Sequence, residues 1–215
     1  MSSCNPPFLK KYSRPQRSPA VTKSGTIYFP IWLAYCVGVL EQAGYEVTFT
    51  DAPARGQTLD DILLLGEKLH PALIVMDTST PSIENDSRVG DQLKKNLPNT
   101  FVVMVGTHVS ALAEESLLKS VAIDAVAREE YEYTLRDLAA FLADQRVSPK
   151  DKDALGKIPG LSFRVDGQVI HNPDRPYLEN LDELPWVARV YKQYLRIGDY
   201  FNPNALYPMV TLITS

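Results

Sequence analysis

A chain of 215 residues has room for one full domain with a buried core and a smaller attachment. Hydrophobic and charged fractions of 45% and 22% are those of an ordinary globular protein, and a formal net charge of −4 supplies no basic face for nucleic acid. No apolar run reaches bilayer-spanning length, and Met1 to Pro7 lacks a basic segment followed by an apolar core, so the cytoplasm is the default and no membrane partner is expected.

Cys4 and Cys36 make no metal-ligand spacing with each other or with His70, His108 and His171, so no metal site is predicted. In chain order, Met1 to Cys4 holds at most the end of a strand, so the start reads as clipped or unusually short. Residues 5–26 carry Pro6, Pro7, Pro15 and Pro19 among Lys10, Lys11, Arg14, Arg17 and Lys23, which precludes regular structure. This run is either a loose tail or, given Phe8, Tyr12 and Val21, a segment that wraps a ligand. Residues 31–43 read as a helix, with Leu33, Val37 and Leu40 at helical spacing, Pro30 at the start and Gly44 at the stop. Residues 45–50 alternate as a strand, Asp51 to Gly56 is a loop, and a helix follows from about Thr58 to Leu69 with Leu63, Leu64, Leu65 and Leu69 facing inward.

The near-continuous apolar runs Ala72 to Met76 and Phe101 to Val105 suit strands covered on both faces. Helices are predicted over 83–97, 109–120 and 131–143, with a weaker strand over 123–127. Residues 147–156 form a charged linker, and Leu161 to Val165 with Gln168 to Ile170 form a hairpin around Asp166-Gly167. Asn180 opens a capped segment, residues 187–195 a short helix, and Tyr207 to Thr214 a new strand that simply stops, which suggests truncation.

Strand alternating with helix implies a right-handed βαβ series. Its natural closure is an α/β, flavodoxin-like, doubly wound parallel sheet of five strands over residues 1–146, followed by a linker with a β-hairpin over 147–206 and a last strand over 207–215. Ligands bind such sheets beyond the carboxyl ends of the strands. The candidate contacts are therefore the first loop, Asp51 to Gly56, Asp77 to Pro81, Gly106 to Val109 and Arg128 to Tyr131.

Several chemistries compete for this ledge. A phosphoacceptor receiver would place its acceptor at Asp77 and its hydroxyl at Thr107. However, the first loop is Asn5-Pro6-Pro7 with no acidic pair for magnesium, and Arg128 stands where a lysine is needed. Neither glycine-rich nucleotide motif occurs. Ser79, His108 and Asp77 lack the strained elbow of a hydrolase.

Gly106-Thr-His-Val-Ser-Ala-Leu-Ala-Glu-Glu-Ser and Asp124-Ala-Val-Ala-Arg128-Glu-Glu-Tyr-Glu-Tyr-Thr134 resemble the Gly-Gly-Pro-His-x-Ser/Thr and Arg-Gly-Glu-Gly-Glu-x-Thr signatures of one family. That family is the N-terminal cobalamin-binding domain of cobalamin-dependent radical S-adenosylmethionine (SAM) enzymes. Asn5-Pro6-Pro7, the stretch from Ile31 to Asp51, Ile158 to Gly167, Leu181 to Pro185 and Thr211 to Ser215 agree in order and spacing, so the resemblance covers nearly the whole chain. Two places depart from it: Thr107 stands in the Gly-Pro context, and Glu129-Glu130-Tyr131 replaces Gly-Glu-Gly.

The resemblance implies a slot for the nucleotide tail of cobalamin. Its walls would be Thr78, Ser79, Thr80 and Ser82 on one side and Glu129, Glu130 and Tyr131 on the other, with Gly106, Thr107 and His108 between them. No histidine follows the first strand, and Pro53 holds the histidine place of Asp51-Ala-Pro-Ala-Arg-Gly56, so cobalt is expected to carry no histidine ligand. The partner implied is the missing radical SAM domain of the same protein, with its [4Fe-4S] cluster, SAM, and methylation or cyclisation at an unreactive carbon. This stretch itself holds no cluster motif and is expected to have no catalytic residues. The competing readings are the receiver with Asp77 as acceptor, and a degenerate domain of the same family that only packs against the barrel.

Overall fold

The computed structural model describes residues 1–15, 19–144 and 146–212. Five parallel strands form its centre: β1 (Ser2–Asn5), β2 (Thr48–Asp51), β3 (Leu73–Asp77), β4 (Phe101–Val105) and β5 (Ala125–Ala127). Their order is β2-β1-β3-β4-β5, the flavodoxin-like order, and β3 and β4 pair along their full length from Leu73–Phe101 to Asp77–Val105. Alternate residues of these strands enter opposite cores. Leu73, Val75, Val103 and Val105 pack toward α1 (Ile31–Gln42), while Ile74, Met76, Val102 and Met104 pack on the other face. A strand buried on both sides has no polar face to show, which is why these two runs are apolar throughout.

On that second face lie α3 (Leu59–Leu69), α4 (Ile83–Asn96), α5 (Thr107–Ala111) and α6 (Ala113–Lys119); the short α2 (Ala52–Arg55) precedes them. Helix α7 (Glu132–Ala143) joins α1 on the first face. A turn of helix, α2, occupies the predicted loop after Asp51, because Asp51 caps it through the Ala54 N–H at 3.4 Å and Gly56 ends it at φ 67°. Helix α3 starts on a capping box in which Thr58 and Asp61 satisfy each other's backbone N–H. Its inward stripe differs from the leucines named above. Ile62 and Gly66 are buried and Leu59 and Leu63 half-buried, whereas Leu64 and Leu69 are exposed. The i, i+3, i+4, i+7 spacing from Leu59 sets that stripe, and the run of three leucines masks it. The helix predicted over 109–120 is broken at Leu112, whose φ of −127° and ψ of 49° separate α5 from α6.

The sheet does not stop at five strands. The hairpin β6 (Leu161–Val165) and β7 (Gln168–His171), preceded by α8 (Lys152–Leu155), adds antiparallel to the free edge of β5, giving seven strands in all. Its turn has positive φ at both Asp166 and Gly167, as a tight two-residue hairpin requires. Phe163 drops into the core, and Arg128 ties the junction to Ser162, Asn172 and Asp174. Helix α9 (Val187–Tyr194) packs on α1 so closely that a Cβ on Gly38 would overlap Pro185. Residues 207–212 form no strand, since no neighbouring strand pairs with them; Ile213, Thr214 and Ser215 of the predicted strand lie outside the described residues.

The described residues between Pro6 and Pro30 form no helix or strand of the sheet, as prolines dictate, yet they are anchored. Arg14, 4% exposed, donates to Asp86 Oδ1 of α4 at 2.6 Å and to the Pro6 carbonyl at 2.9 Å. Ser13 bridges to Ala20 and Ile27 to Phe201. Removing one partner of a fully buried ion pair strands the other, so Asp86→Ala should cost about 3–5 kcal/mol. An Arg14→Met/Asp86→Leu double variant should recover most of that loss. Urea midpoints measure both; a loss below about 1 kcal/mol in the single variant would show that the pair anchors nothing.

Candidate functional site

The strand ends open onto a cavity of about 1170 Å³. Its floor is built where β3 and β4 stop. The Thr78 N–H and hydroxyl both donate to the Val105 carbonyl, at 2.9 and 2.7 Å, which pins the two loops together. Gly106 then turns the chain at φ 114° and ψ 170°, a region open to glycine alone. A Cβ there would overlap the Thr78 carbonyl oxygen and stand 3.0 Å from Asp77 Oδ1. The floor is flat because this residue has no side chain.

Of the predicted contacts, Thr78, Ser79, Gly106, Thr107, Glu129, Glu130 and Tyr131 line the cavity. Thr80, Ser82 and His108 are not among its lining residues. Ser82 is fully buried, bonded to Ser79 Oγ at 2.7 Å and donating to Asp86 Oδ2 at 2.6 Å. Ser79 Oγ also meets the Tyr12 hydroxyl at 2.8 Å, so the seryl hydroxyls form a chain from the N-terminal segment to the Arg14–Asp86 pair. His108 Nδ1 lies 3.2 Å from Thr80 Oγ1 on the exposed side.

At the corner that departs from the family signature, the backbone takes a left-handed turn. Glu129 stands where the signature has its first glycine and holds φ at 56°, braced by its own N–H donating to Ser110 Oγ at 2.8 Å. Tyr131, at the second glycine, fills space with a buried ring.

Four further groups line the cavity. Arg14 and Pro15 come from the N-terminal crossing, Trp32 and Tyr35 from the first turns of α1, and Asp77 and Glu132 from the ends of β3 and the start of α7. The fourth is a strap at residues 175–184, which supplies much of one wall. The strap is fastened by the Leu178 N–H donating to Glu130 Oε2 at 2.8 Å and by Arg175 donating to Thr134 Oγ1 at 2.9 Å, with Tyr177 beside Glu129. The spacing of Trp32 and Tyr35, three apart on the helical face away from Leu33 and Val37, is the one sequence signal that marks an aromatic wall.

Burial lifts the carboxyls here. It raises Asp77 to about 7, with Arg14 opposing and Asp86 and Asp51 adding. It raises Asp51 to about 6 against hydrogen bonds from Asn5 and Tyr200, and Glu132 to about 7. Among the described residues no group of three or more His, Cys, Asp or Glu is placed to hold a metal ion.

A cavity this size, floored by a required glycine and walled by aromatic and polar side chains at the carboxyl edge of a doubly wound sheet, defines a large-ligand-binding domain of flavodoxin-like class. Residues 17–139 match the family model described as B12 binding domain, and the chain belongs to that family. It is 33% identical over 162 residues to an uncharacterized methyltransferase of Pyrococcus horikoshii, spanning 75% of this chain and 33% of that protein. It is 27% identical over 172 residues to the anaerobic magnesium-protoporphyrin IX monomethyl ester cyclase of Rubrivivax gelatinosus, spanning 78% of this chain and 30% of the enzyme. The chain thus spans about a third of the length of these relatives.

Two solved structures share the fold. The cobalamin-dependent S-adenosylmethionine radical enzyme OxsB, with aqua-cobalamin and S-adenosylmethionine bound, matches with a TM-score of 0.64 at 15% identity, over 82% of this chain and 22% of OxsB. The radical S-adenosylmethionine methyltransferase TsrM of Kitasatospora setae, with cobalamin and a [4Fe-4S] cluster, matches with a TM-score of 0.59 at 17% identity, over 80% of this chain and 30% of TsrM. This is a B12-binding domain similar to those of cobalamin-dependent radical SAM enzymes, and the receiver alternative has no support.

Gly106→Ala forces a β-carbon into the Thr78 carbonyl, and the backbone strain alone is worth roughly 1–3 kcal/mol. The variant should melt earlier and lose ligand affinity; wild-type behaviour in both would show that the floor tolerates a side chain. Glu132 gives a pH signature. Folded, it holds its proton to about 7, whereas its ordinary value is 4.5. The folded state therefore binds more protons in that window, and stability falls as pH rises through it. Glu132→Gln should make the fall of unfolding free energy from pH 4.5 to 7, read from urea midpoints, shallower by at most ~1.4 kcal/mol per pH unit. An unchanged slope would place its titration elsewhere.

Proposed function

We propose that the chain binds cobalamin in this cavity, with Thr78, Ser79, Gly106 and Thr107 against the nucleotide tail and Glu129, Glu130 and Tyr131 along the opposite wall. The observation that carries the reading is the cavity itself. Its volume, about 1170 Å³, exceeds the roughly 300–1,000 Å³ of pockets for drug-sized ligands and suits a macrocycle with an extended tail. Its glycine floor permits close approach of backbone to ligand.

In this reading Trp32 and Tyr35 offer apolar surface to the ring edge, and Thr107 and Ser110 offer hydroxyls at the ledge. Thr80 and His108, paired with each other on the exposed side, would border the slot rather than line it, and Ser82 would support Ser79 from behind. Bound cobalamin would supply a cobalt centre able to carry a methyl group. The chain's own residues bind it, orient it and shield one face from water.

By similarity to its relatives, the domain serves a radical SAM enzyme whose [4Fe-4S] cluster and SAM site lie in a further domain. The parent reaction would be methylation or cyclisation at an unreactive carbon. The domain boundaries that suit this reading are a binding unit over residues 1–146, a connecting unit over 147–206 and the start of the next domain from 207.

Titration of the purified protein with hydroxocobalamin at fixed pH tests the binding. A saturable, equimolar change in the visible spectrum is expected, weakened at least about tenfold, or ~1.4 kcal/mol, in Gly106→Ala. No spectral change and no retention of cobalamin on gel filtration would overturn the reading.

A further inference from the structure

Three carboxyls surround a single buried cation beneath the cavity. Asp51 ends β2, Asp77 ends β3 and Asp86 lies in α4, with Arg14 crossing between them. Both amino groups of Arg14 are committed, one to Asp86 and the other to the Pro6 carbonyl, while its Nε is buried without a partner among the described residues. Asp51 is satisfied by the Tyr200 hydroxyl at 3.1 Å, the Ala54 N–H at 3.4 Å and Asn5.

Asp77 differs from both neighbours. The Thr78 N–H beside its carboxyl is donated to the Val105 carbonyl at 2.9 Å, no side chain among the described residues hydrogen-bonds to it, and it is the one of the three that lines the cavity. Were all three ionised, one guanidinium would face three negative charges in a region of low polarisability, which strongly disfavours the last ionisation. The group with no partner of its own is the one that keeps its proton.

A neutral carboxylic acid donates one hydrogen bond and accepts others, the same pattern that a primary carboxamide offers in reverse. We propose that Asp77, as the neutral acid, is a positioning residue that recognises a carboxamide group of the bound corrinoid, donating to its carbonyl oxygen and accepting from its N–H. This rests on the cobalamin reading above.

The charged and titratable groups that face Asp77 are Arg14, Asp86 and Asp51, with Tyr131 and Cys4 also within electrostatic reach. Glu132 lines the same cavity and titrates in the same range. Tyr131 and Cys4 are held well above neutral pH by burial, whereas Asp77 and Glu132, raised to about 7, and Asp51, raised to about 6, change charge near neutrality.

The test is the affinity of the protein for methylcobalamin, in the dark, from pH 6 to 8.5. Methylcobalamin is chosen because a cobalt-bound water would titrate on its own. Wild type should weaken by an order of magnitude or more across the range, and Asp77→Asn, which keeps a donor and an acceptor without a charge, should bind with little pH dependence. Should that variant fold poorly, the infrared carbonyl stretch of the wild type serves instead: a protonated carboxyl band at pH 6 that shifts on binding supports the proposal.

Affinity that rises with pH, or a band unmoved by ligand, overturns it. So does a pH dependence that persists in Asp77→Asn and vanishes in Glu132→Gln. Failure of wild type to bind at any pH overturns the cobalamin reading itself, and normal binding with no role for Asp77 overturns only this proposal.

Discussion

The Arg14–Asp86 contact does three jobs at once. It pulls a proline-rich crossing that cannot form a helix or a strand onto the start of α4, with both side chains almost wholly removed from water. Through Asp86 it also terminates the hydroxyl chain Tyr12–Ser79–Ser82, which sets the loop after β3 and hence one edge of the cavity floor. And by committing the buried guanidinium of the cluster to Asp86, it leaves Asp77 facing the cavity with no salt bridge of its own among the described residues. A buried ion pair gives little net stability against a well-packed apolar alternative. Its retention here is better understood as fixing which way an irregular segment lies.

What the chain announces in its sequence is what local periodicity and burial dictate. The runs ending at Met76 and Val105 can only be strands covered on both faces, and the structure has them paired residue for residue. Gly106 was marked by its place after such a strand, and its φ of 114° explains the residue type. What could not be read there depends on partners distant in sequence. The hairpin Leu161 to His171 is plain as a hairpin, but nothing local says that it anneals to β5 and makes the sheet seven-stranded. Helix α3 shows the opposite failure, since consecutive leucines conceal which spacing is buried.

The candidate site divides the same way. Residues at the strand ends were legible because topology places them there. Trp32 and Tyr35 reach the cavity from a helix whose buried face is occupied with core packing, and the strap at 175–184 comes from a stretch with no periodicity at all. Ser82 was expected in the wall by its neighbourhood, yet a seryl hydroxyl next to a buried carboxylate serves the protein's own hydrogen-bonding first. An exposed serine and a structural serine look alike in sequence, because the difference is made by Asp86 four residues on and Arg14 far upstream.

The strap also changes the meaning of the corner where the chain leaves its family signature. The signature has glycine at positions 129 and 131, where this chain has Glu129 and Tyr131. These residues cost backbone freedom, and Glu129 accepts a left-handed conformation that glycine would hold without strain. The return is a latch: Glu129 and Glu130 meet Tyr177 and the Leu178 N–H, so the two carboxylates close the wall rather than reach for a ligand. A wall held by side-chain contacts of exposed residues opens more readily than one held in a sheet. On this side the cavity is therefore bounded by the β5–α7 corner together with the strap fastened to it.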